Sequence, residues 1–172
     1  MTGSHPHAVS QSAALALGAA MIGSGVLMSA PAEAEPPVPP NVWFQCSVFQ
    51  GPNSAWPHPL ENCISARGTV SGYTQNEAGP GSGLERIIWT EGFLAGETFQ
   101  LTNITSSPVG VGTGCPSTHP IEVNVAGTIS ATEPGIKQYD GSPVKATICT
   151  DGNRESGTFM LKPGTSFTIF KK

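Results

Sequence analysis

Apolar and polar residues alternate with a period of two along much of the chain after residue 41. The alternation is clearest in Ile121-Glu122-Val123-Asn124-Val125, where the valines and Ile121 share one face while Glu122 and Asn124 share the other. This period is typical of a half-buried β-strand. Further runs rich in Val, Ile, Thr and Phe are also strand candidates, at 42–49, 64–73, 84–94, 98–104, 144–150, 157–161 and 166–170.

Turn signals separate several of these runs. Asp140-Gly141, Asp151-Gly152 and Pro163-Gly164 are dipeptides that favour tight turns. After residue 41, Gly, Pro, Thr and Ser interrupt every stretch that is long enough to carry a helical apolar stripe. The pattern therefore predicts an all-β, disulfide-braced antiparallel β-sandwich, immunoglobulin-like or jelly-roll-like, with a small barrel as the alternative.

Two pairs of segments resemble each other within the chain: Gly68–Ser71 with Gly127–Ser130, and Gly96–Leu101 with Gly164–Ile169. An internal duplication would explain both pairs. The favoured explanation is simpler, because turn-Thr-apolar patterns recur in any β protein.

The N-terminal region has the pattern of a secretory signal. Residues 13–28 are apolar or small and uncharged, and Ala32-Glu33-Ala34 fits the small-x-small rule for cleavage after Ala34. The apolar run is shorter than the ~20 residues that span a bilayer, so no transmembrane segment is expected in the mature chain. We expect a signal peptide at 1–34, a Pro-rich leader at 35–41 and a single β domain at 42–172, in a protein that is secreted or held in the cell envelope.

Four cysteines, at positions 46, 63, 115 and 149, lie in the expected mature part. Export places them where thiols are oxidised, and none forms the close C-x-x-C pair of a zinc site. We therefore expect two disulfides and no metal. Cys46–Cys63 and Cys115–Cys149 are the favoured pairs because they close the shortest loops.

The charge balance limits the classes of partner. Twelve acidic and eight basic side chains give a net charge of −4, and the basic residues are not clustered. A nucleic-acid surface needs clustered Lys and Arg, so nucleic-acid binding is excluded. The expected partner is a cell-surface protein or a glycan, and no cofactor is expected.

Trp56, His58 and His119 are the candidate ligand-binding residues. Trp56 and His58 lie in Trp56-Pro57-His58-Pro59, and His119 precedes Pro120. A flat aromatic ring can stack a sugar, and His is the usual general base or metal ligand. The simpler interpretation of both histidines is an exposed loop side chain, and Trp43 and Trp89 are expected in the core.

Other motifs carry no clear chemistry, and no catalytic residue is predicted. Asp151–Glu155 resembles a calcium loop, but the position that needs a bidentate Glu holds Lys162. The segment Gly79–Gly83 lacks the spacing of a serine-hydrolase elbow. Four carboxylates could still pair in space, and we interpret them as solvated outer-face residues: Glu85, Glu91, Glu97 and Glu122.

Three functions remain open. The leading hypothesis is a secreted or envelope-associated, non-catalytic β-sandwich protein acting in structure, adhesion or binding, because the sequence has the stability devices of an extracellular module and lacks every enzymatic signature considered. The second is a carbohydrate-binding module that uses Trp56. The third is a small secreted hydrolase whose acid and base come from scattered carboxylates or from His58 and His119.

Overall fold

The first strand is hydrogen-bonded along both of its edges, and this closes the sheet. A computed structural model describes residues 37–76, 85–111 and 114–172. The predicted signal peptide at 1–34, the start of the predicted leader and the segment Gly79–Gly83 lie outside these residues. In the part described, the strands are β1 (Val42–Pro52), β2 (His58–Ile64), β3 (Val70–Asn76), β4 (Glu85–Glu91), β5 (Thr98–Val111), β6 (Ile121–Ser130), β7 (Pro143–Thr150), β8 (Thr158–Leu161) and β9 (Phe167–Phe170).

From β1 to β8, each strand pairs antiparallel with the next one in the chain. The second edge of β1 pairs with β8 through Gln50 and Met160, and with β9 through Cys46 and Phe167. Strands β8 and β9 thus follow one another along the same edge of β1. Both also pair with β7. The result is a closed, antiparallel barrel of eight strand positions, with β8 and β9 sharing the last position.

The sandwich that we expected is therefore wrong, and the small-barrel alternative is the correct architecture. Apolar alternation reports which face of each strand is buried, and that face is the same in a sandwich and in a barrel. The two differ in whether the first and last strands are bonded to each other. Here they are, and closure pairs the backbone groups that an edge strand would leave free.

The prediction of one strand over residues 64–73 is also wrong, because this range contains a turn between two strands. Strand β2 ends at Ile64, and β3 begins at Val70. Ser65 and Gly68 exchange two backbone hydrogen bonds of 3.2 Å, and Gly68 has a φ of 114°. Glycine adopts this angle readily, whereas other residues do so at a cost. The glycine that we placed inside a strand instead makes the turn.

In both β1 and β2, the alternation of inward-facing and outward-facing side chains shifts by one residue, and the two shifts lie side by side in the barrel. Cys46 and Phe49 are both buried on β1, and their partners Cys63 and Leu60 are both buried on β2. Asn62 lies between these partners with a φ of 50°. An irregularity of this kind bends a strand and increases its twist, which favours closure of a barrel.

Aromatic side chains fill the barrel near both ends. We call the end at which β1 begins the entry end, and the end at which β1 finishes the far end. Toward the entry end, the rings of Trp89 and Tyr139 lie 5.4 and 5.3 Å from that of Phe44. Toward the far end, Phe159 and Phe167 both lie 5.0 Å from Phe49.

The start of β1 and the end of β9 lie side by side at the entry end. Val42 faces Phe170 in the β1–β9 pairing, and the N–H of Lys171 donates to the carbonyl of Asn41 at 2.8 Å. At the far end, Pro52 faces Thr158. Across the described ranges, no helix has the length and hydropathy needed to cross a membrane.

The two disulfides join Cys46 to Cys63 and Cys115 to Cys149, which is the pairing that the sequence favoured. The first links residues that face each other on β1 and β2. The second links β7 to the segment before β6 across a sequence separation of 34 residues. Two disulfides are consistent with an oxidising compartment.

We predict that Trp89→Ala lowers the free energy of unfolding by about 3–5 kcal/mol, because this 1%-exposed side chain packs between Phe44 and Phe99. Trp89→Phe should cost less, since it keeps a ring there and removes an indole N–H that has no hydrogen-bond partner in the described part. Trp56→Ala should also cost less, because Trp56 is only half-buried. Denaturant midpoints measure all three; equal losses for Trp56→Ala and Trp89→Ala would contradict the prediction.

Candidate binding cleft at the far end of the barrel

The structure brings Trp56, His58 and His119 to the far end of the barrel, but not into one site. The ring of Trp56 lies 4.6 Å from that of His58, which in turn lies 4.8 Å from the ring of Phe159. Phe159 is buried, whereas the preceding residue, Thr158, is exposed and contacts His119. His58 and His119 therefore lie on opposite sides of β8.

His58 is a core residue, so its interpretation as an exposed loop side chain is wrong. It opens β2, is 4% exposed, and its Nε2 lies 2.9 Å from the carbonyl oxygen of Pro52. The close approach of its ring requires glycine at position 51, where a Cβ would stand 2.6 Å from the His58 Cδ2. The imidazole fills the barrel beneath the surface and fixes the end of β1.

Trp56 is half-buried against this histidine. Its ring is tilted by 35° to that of His58, and its Nε1 is buried with no hydrogen-bond partner among the described residues. One face of the indole is therefore turned toward the protein. The other two tryptophans are placed as expected, with Trp89 in the core and Trp43 packed against it.

His119 is held at the surface by two hydroxyl groups. Its Nε2 lies 2.7 Å from the Oγ1 of Thr158, and its Nδ1 lies 3.0 Å from the Oγ1 of Thr118. In the neutral ring one of these nitrogens donates and the other accepts. No hydrogen bond or ring contact joins His119 to His58 in the part of the chain that is described.

An open cleft of about 310 Å³ lies beside His119, on the outer surface where β1 ends and β8 begins. Its lining combines apolar atoms with hydroxyl, amide and imidazole groups. The lining residues are Gln50, Gly51, Pro52, His119, Thr158, Phe159 and Met160. This combination of an apolar surface with a few polar groups is typical of small-ligand sites.

The loop between β7 and β8 supports the cleft through Asp151. One carboxylate oxygen of Asp151 accepts the N–H of Asn153 at 2.9 Å, and the other accepts the N–H of Thr158 at 3.1 Å. The Asn153 bond is the main cause that lowers the pKa of Asp151; desolvation opposes it, while the Thr158 bond and the charge of His119 add to the lowering. The carboxylate of Asp151 thus holds both ends of this loop through backbone hydrogen bonds.

Glu122 is the carboxylate that sequence reasoning misplaced. It is 7% exposed, not solvated, and one of its carboxylate oxygens lies 2.6 Å from the Nζ of Lys162. Glu122 faces Cys149 across the β6–β7 pairing, so the ion pair lies beside the second disulfide. Periodicity placed Glu122 on the outer face correctly but could not show that another segment covers it.

The remaining carboxylates do not converge on the cleft. Glu85 borders a cavity of about 20 Å³ in the barrel, and Glu91 lies with Glu61 in a groove on the outer face. Glu97 lies in the turn between β4 and β5. Within the described ranges, no three His, Cys, Asp or Glu side chains are placed to share a metal ion.

In comparisons with known proteins, the chain matches no protein-family model, no curated protein and no solved structure.

We predict that the backbone amides of Asn153 and Thr158 report the titration of Asp151 below its ordinary pKa of 3.8. Because folding lowers this pKa, the ionised carboxylate stabilises the loop above that value, and the stabilisation is lost as the pH falls through the folded-state pKa. NMR titration of the two amides measures the midpoint. Asp151→Asn should abolish the transition and Glu155→Gln should leave it; a midpoint at or above 3.8 would contradict the assignment.

Proposed function

We propose that this chain is an exported, non-catalytic barrel protein that acts in structure, adhesion or binding outside the cell. The signal-like segment at 1–34 and the two disulfides support export. The binding site in this proposal is the cleft at the far end, and its partner is a glycan or a cell-surface protein.

The lining of the cleft is the observation that carries the proposal. Pro52 and Met160 supply apolar surface, while Gln50, His119 and Thr158 supply groups that can hydrogen-bond a ligand. The Gln50 side chain is exposed and makes no hydrogen bond within the described part of the chain. Its amide can therefore bond a ligand without first breaking a bond inside the protein.

The position of the cleft also fits a binding role. The cleft adjoins the Pro52–Thr158 pair, at the opposite end of the barrel from Asn41 and Lys171. The two ends are separated by the full length of β1, which is 11 residues. A partner at the cleft would therefore not compete for space with residues 37–41.

Carbohydrate binding through Trp56 remains an alternative within the same class. The exposed part of the indole would have to stack the sugar, because the inner face is turned toward His58. Since Trp56 does not line the cleft, the two versions of the proposal predict ligand contacts at different residues.

Chemical-shift mapping of the mature protein tests both versions. The probes are neutral trisaccharides, for the glycan class, and uncharged blocked tripeptides, for the protein class, each at millimolar concentration. The proposal expects shifts at Gln50, Thr158 and Met160 that Met160→Ala weakens. The matched control is Thr147→Val on β7, away from the cleft, which should leave the shifts unchanged. Shifts centred on Trp56 would favour the alternative site, and no response to any probe would contradict the proposal.

A small secreted hydrolase is a second candidate, favoured by the hydrogen bond of 2.7 Å between His119 and Thr158. A hydroxyl bonded to an imidazole, which a third group orients, is the arrangement of an activated nucleophile. In this reaction the Thr158 oxygen attacks an ester carbonyl and its proton passes to Nε2 of His119. The leaving oxygen takes that proton from Nε2 and departs as an alcohol, and water then attacks the acyl carbonyl, which releases the acid and restores the Thr158 hydroxyl.

Hydrolysis of p-nitrophenyl acetate separates the two candidates. The hydrolase expects a burst of nitrophenolate, an acetyl group on the peptide that contains Thr158, and loss of both in Thr158→Val. Thr147→Val is the matched control, because Thr147 is bonded to Asn124 away from the cleft. Equal rates for the wild type and Thr158→Val would rule out Thr158 as a nucleophile and leave the binding proposal standing.

A further inference from the structure

The segment 114–120 contributes one lining residue to the cleft, His119, and we call it the wall segment. Most of its hydrogen bonds are internal: the His119 N–H donates to the Pro116 carbonyl at 2.9 Å, and Thr118 bonds the His119 ring. Within the described residues, one covalent bond and one side-chain hydrogen bond join the segment to the barrel. They are the Cys115–Cys149 disulfide and the hydrogen bond between His119 and Thr158.

The disulfide shortens the part of the wall segment that lies between two fixed points. Between Cys115 and the start of β6 at Ile121 lie only residues 116–120, and Pro116 and Pro120 restrict this run further. Without the disulfide, this run would no longer be anchored at Cys115. A run without that anchor has more conformations, so fewer of them place the imidazole against Thr158.

The same disulfide adds little to the pairing of β7, the strand that carries Cys149. Cys149 lies on β7, which pairs with β6 from Ile121–Thr150 to Thr128–Pro143. That ladder is complete without the disulfide. The covalent bond therefore acts mainly on the wall segment, which has no ladder of its own.

The other disulfide has a different position. Cys46 and Cys63 are fully buried and face each other on β1 and β2, remote in sequence from the wall segment. Removal of this bond changes the core and leaves the link between Cys115 and Cys149 in place. It therefore provides a matched control.

The structure assigns to Cys115–Cys149 the role of positioning His119, so that the cleft is formed only in the oxidised chain. Reduction of this bond would leave the barrel closed and release one wall of the cleft. The assignment rests on the proposed function for the importance of the cleft, but the positioning of His119 can be tested without a ligand.

The test compares the wild type with the double variant Cys115→Ala/Cys149→Ala and with the control Cys46→Ala/Cys63→Ala. The readouts are amide hydrogen exchange and the ring ¹⁵N signals of His119. In the first variant we expect the His119 amide to exchange about tenfold faster or more relative to the β7 amides of the same molecule. We also expect its ring signals to lose the signature of the Thr158 hydrogen bond. The control variant should keep the wild-type exchange rate of the His119 amide and the ring signals of the Thr158 hydrogen bond.

Comparison within one molecule removes the effect of overall stability. Faster exchange confined to the wall segment supports the assignment, whereas an equal acceleration in β7, or an unchanged His119 ring, overturns it. The trisaccharide and tripeptide probes form a separate arm. If His119 is released but the wild type binds no probe, the positioning role stands and the proposed function fails.

Discussion

The structure depends on the pairing of β1 along both of its edges. One edge bonds β2, and the other bonds β8 toward the far end and β9 toward the entry end. Without the second edge, the strands would form an open sheet with unpaired backbone groups at both margins, which invites association with other chains. With it, the apolar faces turn inward together, and aromatic rings from distant parts of the chain meet in one core.

Closure also explains where a candidate site could form. The interior is occupied by side chains such as Phe44, Phe49 and Trp89, and the cavity that Glu85 borders is only about 20 Å³. A cavity of that size holds about one water molecule. The larger concave surface at the far end lies outside the barrel, between the end of β1, the start of β8 and His119, whose segment the second disulfide ties to β7. The core thus serves as a rigid support, and the loops and the outer wall supply the groups that can meet a ligand.

Local patterns in the sequence predicted local features well. Alternation located most of the strands, and Gly141, Gly152 and Gly164 all have positive φ angles in turns, as their dipeptides indicated. The two pairs of similar segments differ in the structure. Gly96 and Gly164 both precede a strand whose first or second residue is a buried phenylalanine, whereas Gly68 precedes β3 and Gly127 lies inside β6. Recurrence of a turn-strand signal accounts for the first pair without a duplication.

Features that join distant residues could not be predicted in this way. The burial of Glu122 depends on Lys162, and the environment of His119 depends on Thr158; in both cases the partner is about 40 residues away. His58 was misplaced because prolines on both sides are typical of a loop, yet a proline can stand in a strand where its missing N–H breaks no ladder bond. Spacing in the sequence contains no information on which of these distant groups meet once the barrel closes.

Residues 41 and 171 lie side by side at the entry end, and this arrangement has a mechanical consequence. Tension applied between residues 41 and 171 would act on neighbouring antiparallel strands at the same end, so β1 and β9 would peel apart one pair at a time, beginning with Val42 and Phe170. Peeling loads few hydrogen bonds at once and meets little resistance. It would reach Cys46, where the disulfide to Cys63 transfers the load to β2. The first disulfide thus keeps β1 joined to β2, so tension on residue 41 cannot peel β1 away from β2 beyond Cys46.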